Sequence, residues 1–572
     1  MEKNISASIF FIVNDLQCMK SLEYAGPIFP EPYKYKAIFE VNGHKLSPLA
    51  EEMLFALSKH YGGDYWDKII KWKNFWRDLE PHLNFSAKFP EDFIPTLIKM
   101  REYSEQEKAA KSLIKDQIKL EKERLKKTHG FALVDGNVVE VQSFVVESPS
   151  ILLTRGEDPR FGSWKYRVNP KDVVLNCVNS QVPSDWEGQV ASEPDVLWVA
   201  KYQINCTGFC LPKTVLLSQS SNIRQNRTEN KYDKTENILA NWTKIQKAIE
   251  DGINSIDSTT SQSALVCYLI QQTGIRIGNV RTQLQADTRG ASTLRKENIS
   301  FPKNNVIHLS FLGKDSVPYD NDVVVSNKVW KRLKALVKNK SDSDQIFPKA
   351  SAATVTSFLN NIVEGTTPKN LRTVVCNLTL IEELKKKNVK KTDKESEKIR
   401  AMFEANLAIA KTLNHQKNVS KTFNQSKQKA VNSLIESEQK LEEKTKVIRQ
   451  RIEYLESKKS KLSNNKELIQ TIDGEIETQQ QRLYKLNESI EKKRLALHKK
   501  DLTKDINLST SLASYADFRV INSWCKDVDL SIDKIYTKAA LKNFEWGLDV
   551  DENYWKNYAK GDDIACLQHK II

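Results

Sequence analysis

Two runs of leucine and isoleucine spaced seven residues apart constrain this chain more than any other feature. Leu434, Leu441, Ile448, Leu455 and Leu462 fall on one seam, and after the polar break Ser463-Asn464-Asn465 the residues Ile469, Ile476, Leu483, Ile490 and Leu497 form another. A seven-residue apolar repeat draws one stripe along a helix, and that stripe needs a partner. Two stripes of equal length around a short polar turn answer each other. Residues from about Lys421 to Leu502 are therefore expected to form an antiparallel two-helix arm. The pattern speaks for structure and says nothing of chemistry.

At 572 residues the chain exceeds one core, and about three or four domains are expected. Hydrophobic residues at 40% support real cores, while 28% charged residues and a mean hydropathy of −0.53 fit a soluble protein with some solvated helix. No apolar run approaches the ~20 residues of a membrane span. The apolar patch Phe10–Val13 has a weak basic flank and a poor cleavage signal, which argues against a signal peptide. Of the eight cysteines only Cys206 and Cys210 are near each other, Cys18, Cys177, Cys267, Cys376, Cys525 and Cys566 being scattered. No zinc spacing is present, so reduced thiols in an intracellular protein with no structural metal are expected. A net charge of +15 and a pI near 9.1 favour a polyanionic partner.

Taken in order, Ser47-Pro48 opens a helix with serine as cap and Glu51 and Glu52 near its positive end. Trp66, Trp72, Phe75 and Trp76 read as the core face of a small helical domain, with base stacking as the rival reading. Residues 104–127 read as one long solvated helix, and 131–216 as a mainly β domain with strands at Val138–Val146, Val173–Val178 and Val196–Tyr202. Within it, Arg155, Arg160, Lys165 and Arg167 stand among glycines, which suits close approach to phosphates. The polar run Ser218–Arg227 marks a boundary, followed by helical patterns at Tyr232–Ile253 and Ser261–Gln272. Arg276 then lies between two isoleucines and two glycines, and a guanidinium in apolar surroundings needs an anion. Two strand runs joined through Gly313-Lys314-Asp315-Ser316 project Lys314 from a hairpin tip. Arg372 precedes the apolar run VVCNLTLI, and His415 follows a helix at Lys398–Thr412. Beyond the arm, Tyr515 sits in SLASY beside Ala513, Ser514 and Ala516. Such small neighbours let a DNA backbone come within bonding distance, although a lone tyrosine of this kind serves equally as packing at the start of a helix.

Arg276, Lys314, Arg372, His415 and Tyr515 together hold what phosphoryl transfer to a tyrosine requires. The phenol is the nucleophile, two arginines hold the non-bridging oxygens, histidine adds a donor, and the turn lysine hands a proton to the departing 5′ oxygen. None of these roles needs a metal.

The chain resembles eukaryotic-type DNA topoisomerase IB from Gly26 to about Val550. The resemblance rests on GPIFPEPY, KLSPLAEE, KNFW, RGEDPRFG, NPKDVVLNC, IRIGN, FLGKDS, LRT, NHQ, KTF and SLASY, followed by SWC and KIYTK, in the family's order. It implies an α+β multidomain protein that clamps duplex DNA between two lobes. The implied parts are a mixed β N-terminal lobe (1–218), a mainly helical catalytic domain of tyrosine-recombinase type (219–420), a coiled-coil linker (421–503) and a small helical C-terminal domain (504–572). It implies Tyr515 as nucleophile with Arg276, Lys314, Arg372 and His415 as partners, and Arg155 and Asp315 as DNA contacts near the cleavage point. Lys165 and Arg167 are further DNA-binding candidates. The implied reaction relaxes supercoils of either sign without ATP, metal or other cofactor, with little sequence preference along double-stranded DNA; a monomer with no membrane attachment is expected.

Three departures from the family pattern stand out. Ser514 replaces the Asn that precedes the nucleophile in relatives, beside the nick where camptothecin-type poisons stack, and implies reduced drug sensitivity. Asp158-Pro159 stands for His-Pro, and Gly278-Asn279-Val280 for Gly-Asn-Glu. The long charged N-terminal extension of relatives is nearly absent, so a nuclear location follows from the family alone. A tyrosine recombinase, with the same residue types in the same order, and a catalytically inactive DNA-binding coiled-coil scaffold are the alternatives.

Overall fold

The computed structural model describes residues 18–280, 286–417, 419–420, 422–461 and 466–559. Phe10–Val13, Leu462, the turn at Ser463-Asn464-Asn465 and Cys566 lie outside them. The described chain divides into two compact units. The first runs to Lys231 and takes in 286–288 and Lys542–Trp546; the second holds Tyr232–Val280, Arg289–Leu541 and the chain from Gly547.

In the first unit, apolar residues separate into two cores. One is helical, with Met53, Leu54, Leu57, Ile69, Phe75, Phe93, Leu97 and Met100 buried, and Trp66, Trp72 and Trp76 packed against it. The tryptophans thus serve the core. Ser47 caps the helix Pro48–Ser58, its side chain accepting from Ala50 N. Glu51 does more than oppose the helix dipole: it is fully buried and accepts from Tyr33 Oη at 2.9 Å and Lys36 N at 2.7 Å. The other core lies between two sheets, ordered Leu22–Tyr24, Phe131–Val134, Asn137–Glu140 and Phe209–Leu216, Trp198–Cys206, Val173–Asn176, Gln189–Ala191. The long solvated helix is two helices, Ile94–Leu113 and Lys115–His129, broken at Ile114. Neither glycine nor proline marks that break, so nothing in the sequence foretells it.

In the second unit, helices Trp242–Ile253, Ser258–Thr273, Ala352–Ile362 and Pro368–Lys387 pack together, with Ile245, Ile249, Leu265, Leu269, Leu359, Val374 and Leu378 at 0–1% exposure. The polar run leads into a helix, Asn222–Ala240, within which the two units divide at Lys231 and Tyr232, and Asn241 separates it from the next helix. An antiparallel sheet follows, Ile299–Lys303, Val306–Leu312 and Pro318–Val324.

The heptad runs form helices Phe423–Ser460 and Lys466–Leu502. Their pairing is antiparallel: Lys427 meets Asp501 at 2.8 Å, Arg494 meets Glu438 at 2.8 Å and Arg451 meets Glu475 at 3.1 Å. Leu455 and Ile490 are buried and the other described seam residues are half-buried, while Ile472 and Leu495, outside the seam, are buried as well. These exposed ion pairs contribute little stability each, so the apolar seam holds the two helices together. At its root, Lys492 bonds Glu395 at 2.9 Å on the helix Glu395–Thr412.

Candidate active site

The helix Glu395–Thr412 ends in a motif that sets His415. Asn414 takes a left-handed conformation (φ 53°), Asn414 N donates to Lys411 O at 3.0 Å and His415 N to Ala410 O at 2.8 Å. This crossed pair of bonds is a Schellman cap, in which asparagine tolerates the left-handed position. It satisfies carbonyls at the helix end and folds His415 back over the last turn. The imidazole is 6% exposed, with Nδ1 2.9 Å from Ser511 Oγ and Nε2 buried without a partner.

Arg372 lies in the second turn of Pro368–Lys387, a helix opened by Thr367, whose N and Oγ1 both donate to Asn370 Oδ1. Arg372 is 4% exposed, and each of its three guanidinium nitrogens donates one hydrogen bond. Nε donates to Gly274 O at 2.6 Å, Nη2 to Leu413 O at 3.3 Å and Nη1 to Tyr515 Oη at 2.6 Å. Gly274 makes the first of these possible. It sits at φ 61° past the end of Ser258–Thr273, and a Cβ there would lie 2.3 Å from Thr412 O. Two main-chain carbonyls thus fix the plane of the fork that meets the phenol.

Tyr515 closes the short helix Ser509–Ser514 and is 7% exposed, a more buried place than the start of a helix. Its neighbours Ala513 and Ser514 are exposed while Ala516 is buried. Its ring stands 5.3 Å from that of His415 and 4.8 Å from Arg372 Cζ. The backbone on either side is gripped by Asn377, whose Nδ2 donates to Tyr515 O at 3.1 Å and whose Oδ1 accepts from Asp517 N at 2.7 Å. Tyr232 Oη donates to Ala516 O at 2.7 Å. Asn377, Ser511 and Tyr232 escape a reading of residue types; the one signal was a polar Asn377 inside the apolar run VVCNLTLI, which a buried helix tolerates only with partners.

Arg276 follows Gly274 in an extended segment pinned by Ala291 N to Arg276 O and Ser292 N to Ile277 O, both 2.7 Å. Gly278 and Gly290 meet backbone to backbone there, since a Cβ on Gly290 would lie 2.4 Å from Gly278 N. The expectation of an arginine in apolar surroundings needs correction: Ile275 turns inward and the Arg276 side chain is exposed. It bonds no described residue, yet its charge, with that of Arg372 and with burial first, lowers the His415 pKa to about 4. Burial likewise lowers the Arg372 pKa, opposed by Tyr515. Lys314 is exposed at the hairpin tip, before Asp315 (φ 64°) and Ser316 (φ 56°), and is not in contact with Tyr515. The strand that leaves this tip meets the turn carrying His415 through Asn414 Nδ2, which donates to Pro318 O at 3.4 Å.

The cations of the first unit differ in exposure and partners. Arg155 is exposed, but Lys165 is 9% exposed and ion-paired with Glu147, and Arg167 pairs with Glu52 at 3.0 Å and donates to Pro30 O at 3.1 Å. Asp158 is absorbed locally: its carboxylate accepts from Arg160 N at 2.9 Å and from Arg160 Nη2 at 2.8 Å. Val280 is exposed. Among the described residues no three His, Cys, Asp or Glu side chains gather as a metal site, and no helix is long and apolar enough to cross a membrane.

Comparison with known proteins agrees with this arrangement. Residues 18–211 match the family model described as eukaryotic DNA topoisomerase I, DNA binding fragment; residues 220–451 match the catalytic core of the same enzyme; residues 487–556 match the C-terminal topoisomerase domain. DNA topoisomerase 1 of Homo sapiens is 29% identical over 561 residues, covering 94% of this chain and 71% of the human one. That of Caenorhabditis elegans is 30% identical over 569 residues, covering 93% and 68%. The Drosophila melanogaster protein of that name is 30% identical over 559 residues, covering 93% and 54%. A buried phenol held by arginine and faced by histidine, in a chain matched along nearly its whole length, places this protein in the eukaryotic DNA topoisomerase I family.

Proposed function

We propose that this chain relaxes supercoiled DNA by a type IB reaction with Tyr515 as nucleophile. The phenolic oxygen, its proton released to water, attacks a phosphodiester. The new bond joins phosphorus to Tyr515, the bond to the 5′ oxygen breaks, and that oxygen leaves with a proton from Lys314. A 3′-phosphotyrosine and a 5′ hydroxyl result. Arg276, Arg372 and His415 hold the non-bridging oxygens as charge builds. The downstream duplex rotates and the 5′ hydroxyl reseals the strand; the ester keeps the energy of the original bond, so no nucleotide is consumed. The observation that carries this reading is the 2.6 Å contact from Arg372 Nη1 to Tyr515 Oη.

The same reading makes the paired helices a coiled-coil linker between catalytic core and C-terminal domain, and the two units a clamp on duplex DNA, with Arg155 and Asp315 near the cleaved bond. A monomeric enzyme acting in the nucleus fits it. Exposed Ser514 lies directly before the nucleophile, and reduced sensitivity to camptothecin-type poisons follows; unchanged trapping by Ser514→Asn would contradict this. The main experiment is relaxation of a plasmid lacking any recombination site, without ATP or added metal, followed by denaturing-gel trapping and mapping of the modified tyrosine. Intact supercoils, or a label on Tyr536, would overturn the reading. Tyr536 is buried against Phe518.

A further inference from the structure

His415 receives its orientation from the segment that carries Tyr515. Asn507 N donates to His415 O and Lys417 N to Asp505 O, each at 2.7 Å, so residues 505–507 run antiparallel along the histidine turn. One helical turn before Tyr515, Ser511 is fully buried with Oγ 2.9 Å from His415 Nδ1. That hydroxyl has no other partner among the described residues.

The direction of the bond follows from the cost of a stranded proton. A serine hydroxyl has one proton to place, and a buried donor left unpaired costs about 1–3 kcal/mol. If His415 donated from Nδ1, the serine proton would have no acceptor. If Ser511 donates, the proton without a partner among the described residues is the one on Nε2, and that proton has an acceptor in the reaction proposed above, a phosphoryl oxygen of the DNA. We infer that Ser511 is a positioning residue for the reaction proposed above: its hydroxyl donates to Nδ1 and fixes the tautomer in which His415 Nε2 carries the proton, held for a phosphoryl oxygen of the DNA. This deepens that reading and rests on it.

The charged and titratable groups facing His415 are Arg372 from its helix, Arg276 from the segment after Gly274, and Tyr515 itself. Two cations and burial keep the ring neutral at physiological pH, so the tautomer alone remains to be chosen. Nε2, buried and unpartnered, is the atom this choice arms. Docking of the nucleophile and arming of the donor become one event, because one helix supplies both.

The test uses the full chain with 15N-labelled histidine. Wild type is expected to give one neutral His415 species, protonated at Nε2. Ser511→Ala is expected to give mixed tautomers, single-turnover cleavage slower by about tenfold with unchanged DNA affinity, and an acid limb moved to higher pH. That direction follows because the neutral ring has lost the donor that favoured it. Ser511→Thr, which keeps the hydroxyl, is expected to restore the single species. A wild-type spectrum with the proton on Nδ1 overturns the inference whether or not any variant folds. So does a Ser511→Ala enzyme with wild-type tautomer and pH profile, provided Tyr515→Phe is inactive; an active Tyr515→Phe would overturn the parent reading instead.

Discussion

Arg372 holds Tyr515 in two ways at once: Nη1 donates to the phenolic oxygen at 2.6 Å and the guanidinium carbon stands 4.8 Å from the ring centre. Its remaining bonds go to the carbonyls of Gly274 and Leu413. Lysine, a single ammonium on a flexible stem, cannot serve three acceptors in one plane. Arg372→Lys is expected to lower single-turnover cleavage by about a hundredfold or more while DNA binding persists. Gel-based cleavage kinetics beside a binding isotherm check this.

Asn377 joins two carbonyls and one amide beside Tyr515, since it also donates to Thr373 O at 2.8 Å. Asn377→Leu keeps the volume and strands Asp517 N and Tyr515 O. A loss of about 2 kcal/mol is expected, with covalent adduct reduced more than DNA affinity. Chemical denaturation and adduct trapping give the two numbers.

Stability should report on His415. Its folded pKa of about 4 lies below the ordinary value of 6.5. Between those values the unfolded chain takes up the proton more readily, so this residue makes stability fall as pH drops from about 6.5 to about 4. Below that window its contribution is flat. Denaturation midpoints across the window are expected to slope less for His415→Gln than for wild type.

Backbone crowding gives a fourth expectation. Gly274→Ala would put a Cβ 2.3 Å from Thr412 O at a φ of 61°. A non-glycine residue in the left-handed region costs about 1 kcal/mol, and the collision adds to it. The expected result is a lower melting temperature together with impaired cleavage, because Gly274 O is the acceptor that orients Arg372.

Among basic residues, ion pairing separates structural cations from DNA-facing ones. Lys165 shares Glu147 with Lys213, which lies 2.7 Å from the carboxylate. Lys165→Gln is expected to leave the salt slope of DNA binding unchanged and to lower stability. A slope reduced by about one would show a phosphate contact instead.

How much of this was legible beforehand varied with the kind of signal. The paired helices were written in a repeat that depends only on local spacing, and the observed helices Phe423–Ser460 and Lys466–Leu502 follow it. Arg276, Lys314, Arg372, His415 and Tyr515 could be chosen by residue type, but the meeting of Arg372 and His415 with Tyr515 depends on segments up to 143 residues apart. Ser511 left no mark in the sequence, and Asn377 only that of a polar residue in an apolar run, because their roles come from what faces them. The pairing of Lys165 with Glu147 and of Arg167 with Glu52 was unreadable for the same reason: a carboxylate from a loop or helix elsewhere in the chain leaves no mark nearby. The break at Ile114 had no local cause to read.

The two bonds between residues 415–417 and 505–507 lie at the foot of the paired helices, which leave the body at Phe423 and return at Leu502. Each helix is roughly 55 Å long, whereas the stitch at its foot spans three residues. Such a shape works as a long handle on a short pivot. A sideways push far out on the arm would arrive as shear across the two bonds that join residues 505–507 to the turn carrying His415.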